Sequence, residues 1–228
     1  MFTNFRISKD CLLNKFSDID DEGNYKSSIP KISERFFKVI DKLLAGRIFV
    51  ASGMTGTLKR ILIAGVTFSR YRYGISETGV TQIPIGNYQI QRNDIVPLVS
   101  KSMAIIFFHE YCKNVYLKDN SNVELSNFCN INKIYITEHS VAAGVIVRER
   151  CGGQGVLAVN NISRFLCASM AASTGEGDNK VLVMKVAKDY LKLVGTKKLE
   201  LPISKISSIT SLNQMKDLDV ILDLLKRR

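Results

Sequence analysis

Near its start the chain carries one stretch in which apolar residues recur at helical spacing: Phe36, Phe37, Ile40, Leu43 and Leu44 form a single stripe. Ser33 stands before that stripe as a capping residue and Gly46 where a helix would stop, so the pattern predicts a helix over 33–45. After Gly46 the period reads as two, with β-branched and aromatic residues bounded by Gly, Asn and Pro. Strands are predicted at 47–52, 58–72, 80–91, 103–109, 113–118, 132–137, 142–149 and 155–159. Turn material such as Ser52-Gly53-Met54-Thr55-Gly56 and Lys118-Asp119-Asn120-Ser121-Asn122 separates them. Many short strands at close intervals point to an antiparallel sandwich or barrel, and Pro84 and Pro97 to edges or bulges.

From about residue 161 the texture turns helical again, with Ile162, Phe165, Leu166 and Met170 on one face. Ser173-Thr174-Gly175-Glu176-Gly177-Asp178-Asn179 reads as a loop, and 180–194 as either a strand that turns helical or a helix throughout. In 211–228, Met215, Leu218, Leu222 and Leu225 predict a terminal helix that seats on the core or pairs with a second copy. Residues 1–30, with the acidic run Asp18-Ile19-Asp20-Asp21-Glu22, have linker composition. The expected organisation is a flexible arm (1–30), a helix plus β-rich core domain (31–160) and a mainly helical region packed on it (161–228). The expected class is β-rich α+β with a sandwich- or barrel-like core.

Composition changes this picture little: 46% hydrophobic and 23% charged residues suit a folded globular chain. No uninterrupted apolar run approaches the ~20 residues that span a bilayer, and the first residues, MFTNFRISKD, carry no export or lipid signal. The expectation is a soluble cytoplasmic protein. Cys11, Cys112, Cys129, Cys151 and Cys167 never form C-x-x-C and read as reduced thiols. The sequon at Asn161 is then without meaning, and neither metal nor cofactor is expected.

Charge adds more. The net charge is +11, and residues 31–75 alone carry nine Lys or Arg against two Asp or Glu, whereas residues 1–30 are slightly acidic. A concentrated positive block favours a polyanionic partner. Within it, 59–74 reads KRILIAGVTFSRYRYG. If 60–73 is a strand, Leu62, Ala64, Val66 and Phe68 share a face with Arg60, Arg70 and Arg72, and Tyr71 and Tyr73 take the other. Arg70 and Arg72 would contact phosphates while Tyr71 and Tyr73 stack on bases, with Lys59, Arg60, Lys38, Lys42 and Arg47 extending the patch.

Catalytic patterns are sparse. His109-Glu110 and Glu138-His139 do not make H-E-x-x-H, and Gly53 to Lys59 has the wrong count for a phosphate-binding loop. Cys151-Gly152-Gly153 resembles the nucleophile turn of viral chymotrypsin-like cysteine proteases, which implies Cys151 as nucleophile with His109 or His139 as base. Glu149 stands where that family has glycine, and no histidine follows Cys151. The expected function is therefore non-enzymatic binding of nucleic acid, RNA or ribonucleoprotein, without strong base specificity. In its helix-sheet-helix order the chain looks like viral movement, matrix or nucleocapsid-associated proteins. The competing readings are a peripheral scaffold on anionic lipid that assembles through 211–228, and the cysteine hydrolase.

Overall fold

The structure is a computed structural model that describes residues 2–40, 43–118 and 123–196. It is built on helices rather than strands. In chain order, a short hairpin pairs β1 (Ser17–Ile19) with β2 (Tyr25–Ser27), followed by α1 (Ile32–Ile40) and α2 (Leu44–Tyr71). A second hairpin, β3 (Tyr73–Ile75) with β4 (Gln82–Pro84), leads to α3 (Gln89–Lys118). Then come α4 (Val123–Arg150), α5 (Ile162–Thr174) and α6 (Asn179–Gly195), with short 3-10 turns at Gly152–Gly155 and Ala158–Asn160 between α4 and α5.

The β-rich sandwich or barrel is thus overturned: the predicted strands from 47 to 72 lie in α2, those at 103–109 and 113–118 in α3, and those at 132–137 and 142–149 in α4. The reason is legible in which side chains are buried. On α3 they are Gln91, Ile95, Leu98, Ser102, Ile105, His109 and Cys112, alternately four and three residues apart, which is a helix seam. Three of those seven are polar, so a count of apolar residues misses the period. On α2 the buried stripe likewise includes Arg47, Thr55, Gly65 and Ser69. Thr55 and Ser69 return their hydroxyl protons to carbonyls one turn back, Ala51 and Gly65, at 3.0 and 2.7 Å, and Ser102 and Ser140 do the same to Leu98 and Ile136, both at 2.6 Å. That satisfies a buried hydroxyl inside a helix without a partner elsewhere. Pro97 lies inside α3, not at an edge. Gly46 falls in the first turn of α2 rather than ending the first helix, which is α1.

Two compact units divide the chain at Leu182. In the first, α4 packs on α2, α3 and α5, and α2 on α3 and α5. The core joins Leu58, Ile61 and Leu62 of α2, Ile95 and Leu98 of α3, Ala143 and Val147 of α4, Cys151 and Ile162. Gly65 lets α2 approach α4 closely, since a Cβ there would stand 3.0 Å from both γ-carbons of Val147. By length and composition α2 and α3 could each cross a membrane; here they are core helices of the bundle. The described part of the second unit continues α6 from Val183, with an ion pair of 2.9 Å between Lys185 and Asp189 along its surface. The undecided stretch 180–194 is therefore helical throughout. The predicted terminal helix at 211–228 and Lys42 lie outside the described residues.

Candidate functional site

The loop from α5 to α6 is closely held at both ends. Gly175 ends α5, its N–H donating to the Ala171 carbonyl at 3.1 Å, and Asp178 caps α6 by accepting from the N–H groups of Lys180 and Val181 at 2.8 and 3.4 Å. Between stop and cap, Glu176 and Gly177 both adopt positive φ, 56° and 109°. The second is natural for glycine; for glutamate the left-handed region costs energy, and such residues concentrate where geometry serves a function.

Two buried cations hold this loop. Arg47 of α2, 4% exposed, donates from Nε to the Glu176 carbonyl at 3.1 Å. Lys133 of α4, 0% exposed, donates from Nζ to the carbonyls of Ser173 and Gly177 at 2.9 and 2.8 Å and to Asn179 Oδ1 at 2.9 Å. With its carbonyl drawn inward, Glu176 sends its side chain outward, and the residue is exposed. The carboxyl group lies over Gly46: a Cβ on that glycine would stand 2.6 Å from Glu176 Cδ. The carboxylate thus stands on a clamped, left-handed turn beside a bare stretch of helix backbone.

Around the start of α5, a cleft of about 620 Å³ is lined by Arg60, Phe68, Tyr71, Arg72, Gln154 and Phe165, among others. Arg60 lies over the Phe165 ring, 5.8 Å from its centroid. Gly152, at φ 55°, and Gly153 at the mouth of the turn after α4 have nothing within 4 Å of where a Cβ would be. A second cleft, of about 520 Å³, includes Arg70, Gln91 and Arg92.

The residues singled out from sequence therefore separate. Arg60, Tyr71 and Arg72 share the first cleft and Arg70 opens on the second. Lys59 is exposed on α2 and Lys38 on α1, Tyr73 sits in β3 opposite Pro84, and Arg47 is buried at the Glu176 loop. The strand face that was to align them does not exist, because residues through Tyr71 are helical. Cys151 is 3% exposed and burial pushes its thiol up, which disfavours the thiolate a nucleophile needs. Neither histidine serves it. His109 Nε2 meets Ser52 Oγ at 2.9 Å and its Nδ1 meets Asn132 Nδ2 at 2.9 Å, while His139 Nε2 meets Ser102 Oγ at 2.7 Å. Sequence reading passed over Glu176 and Lys133; the one available sign was a glutamate between two glycines in a loop otherwise bounded by helices.

Residues 41–191 match the family model described as the acyl-CoA oxidase C-alpha1 domain. The chain is 30% identical over 197 residues to acyl-coenzyme A oxidase 2, peroxisomal, of Arabidopsis thaliana, covering 84% of this chain and 28% of that protein. It is 25% identical over 211 residues to human peroxisomal acyl-coenzyme A oxidase 3, covering 85% of this chain and 30% of the other. The chain thus spans about 30% of the length of these relatives. Among solved structures, Arabidopsis thaliana acyl-CoA oxidase 1 superposes with a TM-score of 0.80 at 21% identity, over 99% of this chain and 37% of that one. Butyryl-CoA dehydrogenase from Megasphaera elsdenii gives 0.61 at 18% identity, over 68% and 38%. These matches overturn the viral nucleic-acid-binding reading, its lipid-scaffold and cysteine-hydrolase competitors, and the expectation of a non-enzymatic protein with a nucleic-acid partner, because the relatives are oxidases. By the match across most of its described length, the chain belongs to the acyl-CoA oxidase C-alpha1 domain family.

Proposed function

We propose that this chain is the base-bearing helical part of an oxidase acting on acyl-CoA thioesters, with Glu176 as the general base. Oxidising an acyl thioester between its α and β carbons removes a proton from the α carbon, which the carbonyl acidifies, and a hydride from the β carbon. This chain's residues account for the proton. The observation that carries the reading is the Glu176 turn: a carboxylate at positive φ, directed outward by Arg47 and Lys133 and placed over the bare backbone of Gly46.

The hydride calls for a two-electron acceptor, which flavin adenine dinucleotide supplies when bound. The first cleft fits part of such a group. Arg60 and Arg72 offer charge to a pyrophosphate and Tyr71 a ring face to an aromatic base, while the open glycines at 152 and 153, between the lining residues Cys151 and Gln154, leave room for close backbone approach beside the cleft. Arg60, Tyr71, Arg72 and Gln154 are the residues we assign to holding it. The protein works inside the cell, and the names of its relatives favour the peroxisome over the cytoplasm.

The test is Glu176→Gln in the native holoenzyme, which keeps the shape of the side chain and removes its basicity. Exchange of the acyl-CoA α-hydrogen with D₂O, read by mass spectrometry, and acyl-CoA-dependent oxygen uptake should both fall by about 10²–10⁴-fold. Undiminished exchange would sink the assignment.

A further inference from the structure

We infer that Lys133 is a positioning residue for Glu176: its ammonium fixes the loop between α5 and α6 in the arrangement that turns the carboxylate outward over Gly46. The inference rests on Glu176 being the base, and it concerns a residue that touches no reacting group.

Three bonds carry it. The ammonium has three donors and no acceptor, and it meets three oxygens that bracket Glu176 in sequence: Ser173 O at 2.9 Å, Gly177 O at 2.8 Å and Asn179 Oδ1 at 2.9 Å. Ser173 belongs to the last turn of α5 and Asn179 opens α6, so one cation ties the end of one helix to the start of the next. The bridge is itself braced. Asn179 Nδ2 donates to Thr137 Oγ1 at 3.0 Å, and that hydroxyl donates to the Lys133 carbonyl at 2.8 Å, closing the network on α4. Between the two anchors the backbone runs through the left-handed pair at Glu176 and Gly177.

Among the described residues the partners of this fully buried ammonium are neutral oxygens, an arrangement that costs more to bury than an apolar side chain of the same size. Burial pushes the Lys133 ammonium down to about 8; Asp178, Glu138 and Glu176 oppose that shift, and Arg47 adds to it. Above that pH the neutral amine keeps two donors for three acceptors, and one anchor of the loop is lost.

The experiment compares Lys133→Met, Glu176→Gln and the double variant in the native holoenzyme, with hydrogen exchange of the 174–178 amides measured alongside. Lys133→Met is expected to lower kcat about 10- to 100-fold, leave KM for acyl-CoA within about threefold, and speed exchange at 174–178 by about tenfold or more. Adding it to Glu176→Gln should lower kcat no further, because a carboxylate that no longer acts cannot be mispositioned. A loss that multiplies with that of Glu176→Gln, or a raised KM at unchanged kcat, would overturn the role. If Lys133→Met does not fold, the wild-type pH profile decides. kcat should fall above a pH of about 8 at constant KM, and a flat kcat to pH about 9.5, well past that value, would overturn it. Should Glu176→Gln itself retain activity, the base assignment falls, whereas unchanged exchange at 174–178 would strike at Lys133 alone.

Discussion

The carboxyl group of Glu176 lies over the α-carbon of Gly46, so close that a Cβ on the glycine would come 2.6 Å from Cδ and 2.7 and 2.8 Å from the two carboxyl oxygens. One partner is a left-handed residue of the α5–α6 loop and the other lies in the first turn of α2. The missing side chain makes the space in which the carboxylate stands.

Gly46→Ala therefore separates site from stability. Alanine suits a helix better than glycine by about 0.5–1 kcal/mol, so Tm should hold or rise slightly. The carboxyl group must move to make room, and kcat should fall about 10- to 100-fold. Thermal unfolding and steady-state kinetics on one preparation check both; unchanged kcat would mean that the carboxylate does not act from this position.

Two buried histidines predict acid sensitivity. Burial lowers the pKa of His109 and of His139, with Lys101 adding to the second and Glu110 opposing at the first. At His139 the Ser102 hydroxyl already donates to the Leu98 carbonyl at 2.6 Å, so the ring nitrogen 2.7 Å away is the donor of that pair. A group whose folded pKa is depressed contributes stability that is fully present above its unfolded pKa, about 6.5. That stability is lost as pH falls below about 6.5, at up to about 1.4 kcal/mol per pH unit for each group. Urea denaturation at pH 7 and 5.5 should show the loss, and His139→Gln should show a smaller one; equal losses would mean that His139 takes up its proton as readily in the fold as in the unfolded chain.

Thiol chemistry should divide the five cysteines. Cys11 and Cys167 are exposed, while Cys112, Cys129 and Cys151 are buried. Burial pushes Cys112 to about 12 and Cys129 to about 11, and raises Cys151 in the same direction. Iodoacetamide at neutral pH, followed by peptide mapping, should modify Cys11 and Cys167 first and the other three only on unfolding. Rapid, selective labelling of Cys151 would contradict its placement in the core.

By itself the sequence located the short helix after residue 30, a helix beginning near residue 161, the loop that follows it and the concentration of cations in 31–75, all of which are local properties. It misread α2, α3 and α4, because their seams are filled in part by Thr55, Ser69, Gln91, Ser102, His109, Lys133 and Thr137. Inside a bundle such side chains are satisfied by a carbonyl one turn back or by a neighbouring helix, so polarity stops marking the outside. Only the tertiary structure decided that Arg47 and Lys133, 86 positions apart in numbering, face one loop and that Gly46 lies beneath Glu176. Those relationships depend on how helices distant in sequence pack, and periodicity along a chain carries no information about them.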